Sequence, residues 1–249
     1  MLGLAVTLAL LLVVERWIHR HLQGTMLLLA GDREIAVVLY ALPLIPGVLL
    51  HEISHSLTAR ALGVRSGRIS IRPTLSGDRI RLGSVPVAQT DAMRASLIGL
   101  APLLTGSAVI LLIGYTVFGI GTVQQTVAAG DWTEAAWSLP DQIASLLEVP
   151  DAWLWAYLIF AISNTMLPSQ SDRAAWIPVL LFLAITAAVA FVAGLGPTIV
   201  DRLGQPVDVA VPWITAMLGF TLVADLPFVL LIALLERLLE RLRGMRVEY

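Results

Sequence analysis

The chain has no cysteine, no lysine and few charges of either sign. Without cysteine there is neither a disulfide framework nor a thiolate metal site, so a metal must be held by His, Asp or Glu. All sixteen basic residues are arginine, and none of them form the basic tract that a nucleic-acid partner requires. Charged residues make up 14% of the 249 positions, hydrophobic ones 57%, and the mean hydropathy is +0.84. Soluble domains carry about 25% charged residues. This composition therefore indicates a multi-span membrane protein embedded in a lipid bilayer. Internal repeats and low-complexity segments are also absent.

Six apolar stretches approach the ~20 residues needed to cross a bilayer. They are 1–22, 35–62, 92–119, 152–169, 173–196 and 211–236. The first lacks the basic start and small-residue cleavage site of a signal peptide, so it reads as a retained span, though Glu15 and Arg16 interrupt it. The expected fold is an all-α polytopic membrane protein of about six transmembrane helices, a single domain over residues 1–249.

Arginine placement sets the expected orientation. Arg65, Arg68, Arg72, Arg79 and Arg81 lie between the second and third spans, and Arg237, Arg241, Arg243 and Arg246 lie in the tail. The positive-inside rule makes both regions cytoplasmic. The segment 120–151 has five acids and no basic residue, and belongs outside. Six spans with both termini cytoplasmic satisfy all three statements, in what we take to be a prokaryotic inner membrane. Arg16, Arg20 and Arg33 fit this scheme less well. His19 and His21, beside Trp17, are expected at the outer interface and no part of the metal site.

A small hairpin is expected at 66–88 on the cytoplasmic side, between the second and third spans. Arg68-Ile69-Ser70-Ile71-Arg72 and Arg79-Ile80-Arg81-Leu82 alternate as strands do, and Ser76-Gly77-Asp78 supplies a turn. The external segment 121–150, with Trp132, Trp137 and Leu139-Pro140-Asp141, reads as an interfacial cap, with a substrate gate as the alternative.

The second span contains His51-Glu52-Ile53-Ser54-His55, an H-E-x-x-H motif. On a helix, i and i+4 share a face, so His51 and His55 can grip one metal ion. Glu52 beside them can take a proton from a metal-bound water. Pro43, Pro46 and Gly47 break the span just before the motif, and proline suits the first turn of a new helix. Broken helices in membranes line cavities, and a hydrolase needs one to admit water. Chance H-E-x-x-H motifs occur on exposed helices of soluble proteins. Here the motif uses two of only four histidines, inside a span where ionisable groups are costly.

Two histidines leave a tetrahedral site short of one protein ligand. Glu134 and Glu148 fall on the wrong side of the membrane. Asp172 lies at the cytoplasmic end of the fourth span, the end where the second span carries its histidines. Its alternative reading is a turn acid or a cap for the fifth span. Asp225, in Ala224-Asp225-Leu226-Pro227, is a rival as ligand, proton relay or polar partner in the bundle.

These elements together resemble the site-2 protease family of intramembrane zinc metalloproteases, here without a PDZ-like insertion. The likeness covers roughly residues 35–175, the catalytic core. Members carry H-E-x-x-H in one core span and an Asn, a Pro and a ligand Asp in a later one. Asn164 and Asp172 match the usual spacing, while Pro168 falls one residue late and Ser171 and Arg173 flank the Asp in place of Leu and Gly. Ala101-Pro102-Leu103-Leu104-Thr105 is similar to the family's G-P-L-x-N element, with Thr105 at the Asn position. The resemblance implies that Asp172 is the third zinc ligand, with one Zn²⁺ per chain. It also implies that Asn164 helps hold the scissile carbonyl or oxyanion, and that the substrate is a membrane protein, whole or already cut by another protease.

The expected activity is therefore zinc-dependent endopeptidase action in or next to transmembrane segments, with Glu52 as general base. The alternative is a non-proteolytic membrane protein, a metal transporter or a scaffold. A transporter would string ionisable residues through several spans, whereas this chain gathers them near one depth.

Overall fold

The computed structural model describes residues 2–76, 79–119 and 148–247, with Thr133 and Trp137. Most of the expected external segment, including Trp132 and Leu139-Pro140-Asp141, lies outside the described residues, as do Gly77 and Asp78 of the hairpin turn.

Helix α1 spans Leu2–Ala30 and ends at Gly31, whose φ of 68° closes the helix as glycine does best. Asp32 then caps α2, Arg33–Ala41, accepting from the backbone N–H groups of Glu34 and Ile35 at 2.9 Å each. Such a cap contributes about 1 kcal/mol. Pro43 turns the next residues into a 3₁₀ turn, Leu42–Leu44, and Pro46 opens α3, Ile45–Ala61. The break expected from Pro43 and Pro46 is thus real, and the motif lies in the second and third turns of α3.

The hairpin follows. Strand β1, Thr74–Ser76, pairs antiparallel with β2, Arg79–Arg81. Two bridges, Ser70 with Ser84 and Ser66 with Val87, extend the ribbon to the expected 66–88 limits. Each step away from the turn takes four residues on the first strand and three on the second. These offsets bulge the first strand, so regular pairing begins at Thr74 and the stretch 68–72 contributes a single bridge.

Helix α4, Ala92–Thr116, is capped by Asp91, which accepts from the Arg94 N–H at 3.0 Å. That backbone hydrogen bond holds the exposed Asp91 carboxyl below the usual carboxylate range. Helix α5, Ala152–Met166, ends where Leu167 turns extended before Pro168. A four-residue helix α6, Gln170–Arg173, leads to α7, Trp176–Ala190. A π-helical turn at Phe191–Leu195 then joins α8, Gly196–Arg243, which contains Pro206, Pro212 and Pro227.

Among the described residues, five helical stretches are long and apolar enough to cross a membrane: Leu2–Ala30, Arg33–Ala61, Ala92–Thr116, Gln170–Thr198 and Gly204–Arg243. The remaining span candidate, α5, is apolar but has 15 residues, about 22 Å of helix. Helix α7 buries none of its residues although nearly all are apolar. Only an apolar surrounding accommodates such a face without a large hydrophobic cost.

Besides a small cluster of Ala59, Val64 and Ile98, the described residues of the bundle pack around two larger cores. Leu11, Ile110, Ile113, Ile159, Ile162 and Met217 form one; Ile18, Tyr40, Leu44, Phe160 and Ile232 form the other. Gly47 permits α3 to lie against α5, because a Cβ there would collide with the Ala161 carbonyl. Gly47→Val should therefore lower the melting temperature of the detergent-solubilised protein by several degrees or abolish folding. Gly219→Ala on α8, where a Cβ meets open space, should be neutral or slightly stabilising. Circular-dichroism melting of both variants checks this.

Candidate metal centre

His51 and His55 project from one face of α3 with their ring centroids 4.7 Å apart. Their two Nε2 atoms lie 3.0 Å from each other. Asp172 on α6 faces them, with Oδ1 3.3 Å from His55 Nε2 and Oδ2 3.8 Å from His51 Nε2. All three ligand atoms fall within 4.8 Å of one another.

Each imidazole is oriented by a backbone carbonyl that its own helix cannot use. His55 Nδ1 bonds the Ile98 carbonyl at 2.8 Å. In a regular α4 that carbonyl would accept from residue 102, but Pro102 has no N–H. His51 Nδ1 bonds the Thr165 carbonyl at 2.7 Å. That carbonyl belongs to the last turn of α5, where acceptors lack helical partners. Its regular donor would be the Ser169 N–H, which instead donates to Asp172 Oδ2 at 2.7 Å. Carbonyls only accept, so both Nδ1 atoms carry the hydrogen, and in the neutral imidazole this leaves the lone pair on Nε2.

Asp172 is placed as tightly. It forms a capping box with Ser169, whose Oγ accepts from the Asp172 N–H at 3.3 Å. Gly99 on α4 lets this segment approach, since a Cβ there would strike the Asp172 backbone carbonyl. Ser96 Oγ donates to the Ala175 carbonyl at 2.8 Å and ties the far side down. The capping role and the position opposite the histidines thus coincide in one residue.

The chemistry of this donor set fits a cation. Two imidazole Nε2 atoms and a carboxylate converge, and with neutral rings both nitrogens offer lone pairs to an ion. A tetrahedral ion about 2.0 Å from each ligand would hold them about 3.3 Å apart; the two Nε2 atoms are 3.0 Å apart, and different oxygens of Asp172 lie 3.3 Å from His55 and 3.8 Å from His51.

Glu52 is buried beside the cluster and makes no hydrogen bond to a described residue. The hairpin packs onto it: a Cβ on Gly83 would come within 2.9 Å of Glu52 Oε1. A cavity of about 1370 Å³ joins His51, Glu52, His55, Asn164 and Asp172, and Ile80 to Val85 of the hairpin line its wall.

Asn164 lines that cavity with its donor turned elsewhere. Its Nδ2 donates to the Phe160 carbonyl at 2.9 Å, and lies 3.2 Å from Ser163 Oγ and 3.5 Å from Asp225 Oδ1. Its Oδ1 has no hydrogen-bond partner among the described residues. Asp225 is fully buried against Ser163 and Asn164, outside the metal-ligand group. Thr105 bonds Ser54 at 2.5 Å and so fastens α4 to α3 beneath His55.

The expectation for His19 needs correction. Residues 12, 15, 16, 19, 20 and 23 form one stripe of α1, and all of them line the cavity. His19 Nδ1 bonds Tyr40 Oη at 2.7 Å there. His21 points away, stacks on Trp17 at 4.1 Å and bonds Glu236 Oε2 at 2.6 Å. Helical spacing carried the signal, since Glu15, His19 and Gln23 are four apart. Arg16 and Arg20 belong to the same face. They sit mid-helix and not in a loop, which is why they fit the loop-charge scheme poorly.

Compared with known proteins, the chain matches no family model, no curated protein and no solved structure. Asp172→Ala should reduce metal affinity by more than the roughly 10–100-fold typical of changes outside the ligand shell. Asp225→Ala, which removes a group bonded to Ser163 and Asn164, should leave metal content unchanged. Competitive chelator titration of the purified variants measures both.

Proposed function

We propose that this chain is a zinc-dependent intramembrane endopeptidase of the site-2 protease type, cleaving peptide bonds in or beside transmembrane segments. The observation that carries the reading is the convergence of His51, His55 and Asp172 beside the buried carboxyl of Glu52, within one cavity of an apolar bundle. In this reading α5 is a short sixth span, both termini are cytoplasmic and the site faces the cytoplasmic side of a prokaryotic inner membrane.

His51 and His55 through Nε2, and Asp172 through its carboxylate, would hold one Zn²⁺. A bound zinc supplies Lewis-acid activation of water and of the scissile carbonyl. Glu52 takes the proton from the attacking water and passes it to the leaving amine. Its packing under Gly83 keeps the carboxyl near the metal ligands and excludes bulk water from one side. Asn164 can give a hydrogen bond to the developing oxyanion only after its amide turns over, which would bring the donor to where Oδ1 now lies. The hairpin supplies an edge for a locally unwound substrate. Adding a strand there satisfies backbone groups that a broken transmembrane helix leaves open.

A metal transporter would need ionisable groups leading away from the metal group through the bundle. Glu15 and Asp225 are such groups, and their oxygens include several without hydrogen-bond partners among the described residues. Metal-dependent flux in vesicles without any cleavage would favour that reading.

Glu52→Gln should keep about one zinc per chain and lose cleavage by at least 100-fold, the scale of general acid–base catalysis. Zinc analysis, with proteomics of membrane-protein fragments in cells expressing wild type or variant, tests this. Cleavage retained by the variant would remove Glu52 from the mechanism. Replacing Gly83 by Val should likewise depress cleavage of a helical substrate while leaving zinc content intact, read in the same assay.

A further inference from the structure

Among the described residues, Arg16 and Arg20 have no partner. Neither makes an ion pair or hydrogen bond with a described residue, and both are exposed where they line the cavity. Helix α1 has 29 residues, about 43 Å at 1.5 Å per residue. Arg16 therefore lies about 21 Å from its start, near mid-span, with Arg20 one turn further along. Guanidinium groups at that depth persist where they face a water-filled cavity and meet a counter-charge. The adjacent acid, Glu15, is buried and does not supply it.

We infer that Arg16 and Arg20 form an anion-binding subsite that receives a carboxylate side chain of the peptide substrate. The geometry suits this ligand. An i, i+4 pair places two planar forks side by side, able to clamp one carboxylate from both flanks. The cavity is continuous with His51, Glu52 and His55, so an acid held by the arginines shares one chamber with the groups proposed to act on its peptide bond. Depth separates this ligand from a lipid phosphate, because headgroups lie at the bilayer surface and the pair lies near the middle of α1. The assignment rests on the protease reading, and it narrows the substrate class to transmembrane segments bearing an Asp or Glu near the cleavage point.

The test uses the full-length Glu52→Gln protein in lipid nanodiscs, loaded with zinc, so that binding is read without turnover. The probe is a fluorescein-labelled apolar peptide with a single central Glu, compared with the same peptide carrying Gln. The Glu peptide should bind at least about tenfold more tightly, the scale of one charge-assisted hydrogen bond. Adding R16Q and R20Q should equalise the two affinities. R16K with R20K should restore part of the difference, charge without the fork. Equal affinities before the arginines are changed, or no binding of either peptide, would overturn the inference. So would discrimination that survives R16Q/R20Q, which places the acid elsewhere. Arginine-dependent binding of phosphatidylglycerol with no preference between peptides assigns the pair to lipid and likewise overturns it. If R16Q/R20Q does not fold, the ratio in the parent protein decides alone. Failure of the protease reading is seen separately, as absence of peptide cleavage by the wild type.

Discussion

Two imidazoles fixed lone pair to lone pair are the constraint around which this fold is organised. At 3.0 Å, the Nε2 lone pairs of two neutral rings at His51 and His55 would repel, and a cation shared with Asp172 would relieve that. They are held there by carbonyls stranded for covalent reasons. Pro102 frees Ile98, and the end of α5 before Pro168 frees Thr165. The Ser169 N–H that would otherwise close on Thr165 goes to Asp172 instead. One irregularity at the end of α5 therefore orients a histidine and anchors the acid opposite it.

Glycine completes the assembly by allowing close approach. Gly47 brings α3 to α5, Gly99 brings the Asp172 segment to α4, and Gly83 lays the hairpin on Glu52. A Cβ would strike backbone at Gly47 and Gly99 and the Val48 and Glu52 side chains at Gly83, so the three ligands and the buried acid depend on contacts among five elements. Around them α7 turns an apolar surface outward, and Glu15, Arg16, His19, Arg20 and Gln23 form a polar stripe along α1.

Much of this was legible in the residues. The H-E-x-x-H spacing placed His51 and His55 on one face, because helix periodicity is local. The proline pair before it located the break, because proline acts on its own turn. The hairpin limits followed from alternation, although the bulges that moved regular pairing to Thr74 did not, since offsets depend on how the partner strand is held. His19 was misplaced because its neighbours Trp17 and His21 resemble an interface girdle, while the spacing from Glu15 to Gln23 was the better guide. The rotamer of Asn164 and the burial of Asp225 against it had no sequence signal, being settled by the packing of α5 on α8.

The sequence by itself determined the apolar bundle, the break before the motif and the two histidines, since each rests on composition or on spacing within one helix. It left the third ligand between Asp172 and Asp225. Only the tertiary structure decided that Asp172 faces the imidazoles while Asp225 turns to Ser163 and Asn164. The reason is physical. Which acid meets a histidine from another helix depends on where Gly99 and the end of α5 let the chains approach, and no local pattern encodes that distance.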